Sequence, residues 1–90
     1  MAEPIQVRAG QVWADNDKRA RGRELVVLRV ERSRRKVGWA RDDLGPYEDV
    51  AVCRVTASPG SPARIGRVYA IAVRRMKPTS TGYRLVREPD

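Results

Sequence analysis

Apolar residues along this chain recur mostly at every second position, the period of a strand, rather than at every third or fourth, the period of a helix. The clearest run is Glu24-Leu25-Val26-Val27-Leu28-Arg29-Val30-Glu31. Strict alternation there puts Val26, Leu28 and Val30 on one face and Leu25 and Val27 on the other, beside Arg29. The same period predicts strands over 10–14, 50–56, 68–75 and 83–87, with Tyr69, Ile71 and Val73 on the buried side of the fourth. Arg75 would share that inner face, so a bulge or a strand end is expected near it. A short strand is also expected over 37–41.

Between these runs the chain carries turn chemistry. Residues 15–23 are polar and begin Asp15-Asn16-Asp17, side chains suited to bonding their own backbone in turns. Residues 32–36 are read as a turn, and Asp42-Asp43-Leu44-Gly45-Pro46 as another. Pro59 and Pro62 forbid regular pairing over 58–62. The stretch 76–82 breaks the strand before it, with one helical turn expected around 77–81.

Five short strands, a long polar loop after the first and a short break before the last predict an all-β fold, a small five-stranded SH3-like barrel. Residues 32–49 would be an inserted hairpin or loop. A five-stranded OB-like barrel fits less well, because no helical stripe lies between residues 50 and 68. Ninety residues make one domain with a thin core. That domain is placed at 10–87, with 1–9 and 88–90 as tails. Trp13, Tyr69 and Tyr83 lie on strand-like runs and read as core, and Cys53 in Val50-Ala51-Val52-Cys53 reads as a small buried hydrophobe.

Charge changes the picture. The chain has nineteen cations against eleven acids, a net charge of +8. Nine of those cations fall within residues 18–36, interrupted only by Glu24 and Glu31. Sixteen of the nineteen are arginine, whose planar guanidinium matches phosphate oxygens with two parallel hydrogen bonds. The block points to a polyanion, above all nucleic acid, with DNA ahead of RNA. The candidate contacts are Arg21, Arg23, Arg32, Arg34, Arg35 and Lys36, with Arg74 and Arg84 extending the surface and Trp39 placed to stack on an unpaired base. No zinc finger, RNP motif or helix–turn–helix is present, so contacts with the phosphate backbone and little sequence selectivity are expected.

Chemistry is sparse by comparison. There is no histidine and one cysteine, so neither a zinc set nor an imidazole base exists, and the chain is not read as an enzyme. No cofactor or metal is expected. Asp15 and Asp17 are read as turn residues whose carboxylates accept backbone N–H groups and pair with Arg21 or Arg23. Asp42, Asp43, Glu48 and Asp49 are read as solvating or salt-bridging acids. No apolar stretch reaches membrane-spanning length and the start lacks signal-peptide character, which predicts a cytoplasmic protein.

The segments Gly10-Gln11-Val12-Trp13-Ala14-Asp15-Asn16-Asp17, Arg21-Gly22-Arg23, Ala51-Val52-Cys53-Arg54-Val55 and Pro78-Thr79-Ser80-Thr81-Gly82-Tyr83-Arg84-Leu85-Val86 resemble a group of small actinobacterial and actinophage proteins. That group opens on a similar G-Q-V-[WY]-x-D-x-D and closes on a similar R-[FM]-x-P-T-S-x-G-Y-x-L-V. The likeness covers both ends and the middle, and residues 32–49 stand out as an insertion. It implies a small barrel in a bacterial or phage-infected cytoplasm and carries over no catalytic residues. The alternative to nucleic-acid binding is a protein-interaction module. It would dock on an acidic host protein or form a homo-oligomer, using an exposed sheet edge within residues 37–52.

Overall fold

The computed structural model describes residues 6–36 and 44–89, with backbone alone for residues 35, 36 and 44–46. The expected strand at 37–41 and Trp39 lie outside the described residues, as does the start of the turn at 42–46. The described residues are all-β apart from three single 3-10 turns. Its strands are β1 (Val12–Asp15), β2 (Glu24–Lys36), β3 (Leu44–Ala57), β4 (Val68–Ala72) and β5 (Tyr83–Arg87). They form one antiparallel sheet in the order β4-β3-β2-β1-β5. The sheet is open, with β4 and β5 at its edges, so the closed barrel is not reached. No described helix is long and apolar enough to cross a membrane.

One face of the sheet carries the core. Trp13, Leu25, Val27, Ala51, Cys53, Val55, Ile71, Met76 and Tyr83 are buried together, with Tyr69 half-buried against them. Burying each large apolar side chain contributes about 1.5–3 kcal/mol, and a few such residues carry this small domain.

The face assignment for β2 is therefore a correction. Leu25 and Val27 are buried, whereas Val26 and Leu28 are half-buried and Val30 is 39% exposed. Strict alternation fails because Val27 pairs with Cys53 and Arg29 with Val52, leaving Leu28 as an extra, bulged residue. The bulge holds Arg29 on the outer face and turns Val30 onto the core face, opposite Ala51.

A second correction concerns 32–36 and 44–46. These residues are strand, not turn, because β2 and β3 pair with each other well past their neighbours. β1 stops its pairing at Val26 and β4 at Val50, so Arg32–Lys36 and 44–49 form a two-stranded arm. The sheet edge expected within 37–52 shrinks accordingly. Residues 50–54 are paired on both sides, and 44–49 are paired with β2 alone.

β4 ends at Ala72, and the helical turn expected around 77–81 lies earlier, as a 3-10 turn at Val73–Arg75. The expected strand end near Arg75 is present. Residues 6–8 and Glu88 are tied to the sheet. Val7 is buried in the core, and buried Gln11 is hydrogen-bonded through both ends of its amide. Its Oε1 accepts from the Arg8 backbone N–H (2.9 Å) and Trp13 Nε1 (3.0 Å), and its Nε2 donates to the Gln6 carbonyl and to Glu88 (both 2.9 Å). Arg8 closes this clasp on Glu88 at 2.8 Å, and these two partners hold the Glu88 carboxyl below its ordinary pKa.

Candidate nucleic-acid interface

Antiparallel pairing gathers three connections at one end of the sheet. The end of β1 and the starts of β2 and β5 meet there through Ala14 opposite Glu24 and Asp15 opposite Tyr83, and β3 arrives with Ala57 opposite Glu24. The loops 16–23, 58–67 and 76–82 therefore lie side by side although up to 66 positions separate their residues in sequence.

The first two loops form the walls of a cleft of about 510 Å³. Gly22 joins them. It has a φ of +81°, and a Cβ there would sit 3.0 Å from the Pro59 ring. The turn into β2 thus needs a residue that tolerates left-handed backbone and packs flat against the opposite loop.

Five cations and two acids line this cleft: Lys18, Arg19, Arg21, Arg23 and Arg64, with Asp15 and Asp17. The acids act first on local structure. Asp15 accepts the Asp17 backbone N–H and Asp17 accepts that of Arg19, both at 2.9 Å, which caps the 3-10 turn Lys18–Ala20. This is the turn role read from the sequence. Each acid also takes one arginine. Asp15, its side chain only 4% exposed, pairs with Arg23, and exposed Arg19 pairs with Asp17 at 2.8 Å.

The Asp15–Arg23 pair is structural. Breaking a pair this deep by removing one partner typically costs about 3–5 kcal/mol, because the other charge is left without compensation. Burial works most strongly against the Arg23 charge, but the hydrogen bond to Asp15 and the Asp15 charge together more than offset it, and the pKa is raised. The Arg19 bond to Asp17 holds that carboxyl down at about 2. Lys18, Arg21 and Arg64 are exposed and make no ion pair among the described residues. Their field extends along the start of β4. Arg67 hydrogen-bonds the Tyr69 phenol and, with Arg64 and Arg23 nearby, lowers its pKa.

The remaining candidates lie elsewhere. From Arg23 to Arg34 the chain runs along β2 for about 35 Å at ~3.3 Å per residue, so the cationic block of the sequence is two patches in space. On the arm, Arg32 faces Asp49 across the strands at 3.2 Å, and Arg34 stacks over Tyr47 with its guanidinium 5.3 Å from the ring centre. Arg74, at the base of the arm, bonds Glu48 at 3.1 Å. Arg35 and Lys36 close β2, and only their backbone is described. Arg84 projects from β5 back toward the cleft end, donating to Asn16 Oδ1 at 2.9 Å.

The structure thus joins Arg21 and Arg23 with Lys18 and Arg64, and separates them from Arg32 and Arg34 on the arm. Arg64 is not among the residues that the sequence singles out. Its only local signal is that it is one of two cations, with Arg67, in a Pro/Gly/Ser loop. Among the described residues, no three of His, Cys, Asp or Glu lie close enough together to hold a metal ion. Compared with known proteins, the chain matches no family model, no curated protein and no solved structure.

Proposed function

We propose that this chain is a small basic nucleic-acid-binding protein that grips the phosphate backbone with little sequence selectivity, acting on DNA ahead of RNA. The observation that carries the proposal is the cleft, where Lys18, Arg21 and Arg64 converge from two loops while the neighbouring acids are already paired with Arg19 and Arg23. Three cations around a concave surface, none in an ion pair among the described residues, favour an anion with several oxygens. Arginine suits phosphate in particular. The lack of any lining aromatic among the described residues argues against base reading there.

The finer fold reading is an SH3-like barrel. It is supported by the order β4-β3-β2-β1-β5 and by the 3-10 turn on the way to β5. Work on nucleic acid would place the protein in the cytoplasm, of an actinobacterium or of a phage host on the resemblance described above.

The test is binding to labelled DNA across a salt series. If the basic surface neutralises about four to seven phosphates, log affinity falls with log salt at a slope of about −3 to −6. The variant Lys18→Glu/Arg21→Glu/Arg64→Glu should lose binding while melting like the parent, since all three side chains are exposed. Affinity that ignores salt, or a triple variant that binds as the parent does, would sink the proposal.

A second reading, a protein-interaction module, is favoured by the arm. Its 44–49 strand is paired on one side only, and Tyr47 on it is 60% exposed. Capture of an acidic protein from nuclease-treated lysate, by a chain that ignores DNA, would favour that reading.

A further inference from the structure

A second hollow, of about 220 Å³, is lined by Arg74, Arg75 and Lys77 together with Thr79, Thr81 and Gly82. Asn16 links it to the first. Asp15 and Asp17 line the cleft, and Asn16 between them is bound to the rim of the second hollow. The Asn16 backbone N–H donates to the Gly82 carbonyl and its side-chain amide donates to the Thr79 carbonyl, both at 3.0 Å. Arg84 stands at the same divide, its guanidinium on Asn16 Oδ1.

The rim is rigid. A Cβ on Gly82 would collide with the Lys77 carbonyl oxygen and the Thr79 hydroxyl, and the Tyr83 and Thr79 backbone N–H groups both bond that Lys77 carbonyl, at 2.9 and 2.8 Å. The Lys77 side chain is left exposed, as is that of Arg75, which makes no ion pair among the described residues.

We infer that the two hollows are one track that takes successive phosphates of a single nucleic-acid strand, entering at Arg64, Arg21 and Lys18, crossing Asn16 under Arg84, and leaving along Lys77 and Arg75. The inference rests on the nucleic-acid reading above and adds the form of the ligand. A flexible strand can lower neighbouring phosphates into two adjacent hollows. Duplex DNA, stiff over about 150 base pairs, must be deformed to follow them, which weakens its binding. Neither hollow is lined by an aromatic side chain among the described residues, so the track holds the backbone and leaves the bases in solvent.

The experiment measures binding of the whole chain to a labelled thymidine homopolymer of about a dozen nucleotides, to an abasic strand of the same length and to a duplex. The parent is expected to bind both strands within about threefold of each other and the duplex more weakly. Arg75→Glu/Lys77→Glu should weaken strand binding tenfold or more. It should also flatten the salt slope by about one for each phosphate that the variant no longer neutralises. The neutral pair Arg75→Gln/Lys77→Gln guards against a folding defect and should show the same change in smaller measure. If the parent binds strands but both pairs of variants match it in affinity and slope, the track is wrong and the cleft stands alone. Equal or tighter duplex binding, or loss of binding to the abasic strand, overturns the single-strand backbone mode. A parent that binds none of the three ligands removes the nucleic-acid reading beneath it.

Discussion

Cys53 occupies the middle of β3 with no exposed surface, its thiol near the Ala51 carbonyl oxygen at 3.6 Å, and burial pushes its pKa up to about 11. In the unfolded chain the thiol ionises near its ordinary value of about 8.5–9. The folded state therefore binds more protons than the unfolded one between about pH 9 and 11. The stability contributed is complete below pH 9 and declines as pH rises through 11. We expect a melting temperature that falls across that window in the parent and falls less in Cys53→Ala. The same burial predicts that iodoacetamide at pH 8 labels Cys53 only when denaturant is added. Rapid labelling of the native protein would show that β3 opens far more readily than its packing implies. Asp15 makes the complementary point about acids. It lies among cations, yet its position on the core side of β1, opposite Tyr83, commits it to holding Arg23 and the Asp17 turn in place.

At the scale of elements, the β2–β3 arm and the cleft loops handle charge in opposite ways. On the arm, a cation generally faces an acid or a ring across the strands: Arg32 meets Asp49, Arg34 meets Tyr47, and Glu48 reaches Arg74. Cross-strand pairs of this kind contribute roughly 0.2–1 kcal/mol each and fix register. Around the cleft, acids are consumed by neighbouring arginines and Lys18, Arg21 and Arg64 remain exposed. Arg32→Glu/Arg34→Glu should therefore lower nucleic-acid affinity about threefold or less in the salt-series assay, through loss of general attraction, while the cleft variant abolishes binding. The reverse ranking would move the interface to the arm. Such pairing also explains why the arm is invisible to periodicity. None of the described arm residues with a placed side chain is buried, and Arg32-Ser33-Arg34-Arg35-Lys36 holds no apolar residue, so it shows no apolar alternation and reads as a turn.

For the whole molecule, the strands that share the core are legible in the sequence because each packs one face against it. Trp13 in β1, Ala51, Cys53 and Val55 in β3, Ile71 in β4 and Tyr83 in β5 all fall where alternation puts them. What sequence does not carry is adjacency. Lys18 and Arg64 are forty-six positions apart and meet only because β2 and β3 return the chain to the same end of the sheet. Arg23 and Arg34 stand eleven positions apart and are parted by the length of a strand. A cluster of charge in sequence is a cluster in space only where the chain doubles back on itself. Here the sheet order, and not the local composition, decides which cations act together.

Leu28 has a consequence for how the chain tolerates length change. Removing a residue from the middle of a strand ordinarily turns every later side chain to the wrong face. Leu28, however, is the surplus residue between the pairs Val27–Cys53 and Arg29–Val52, so its loss leaves every other partner of β2 where it was. A chain lacking Leu28 should melt cooperatively, with the arm less twisted and the Arg32–Asp49 pairing intact. A chain lacking Ala70, in β4, should melt far lower or fail to fold, because the pairing of β4 with β3 holds no spare residue to absorb the slip. If the two deletions prove equally damaging in thermal melts, the bulge is not where the strand keeps its slack. If only the second is damaging, the sheet can lose a residue at the bulge but not where its strands pair evenly.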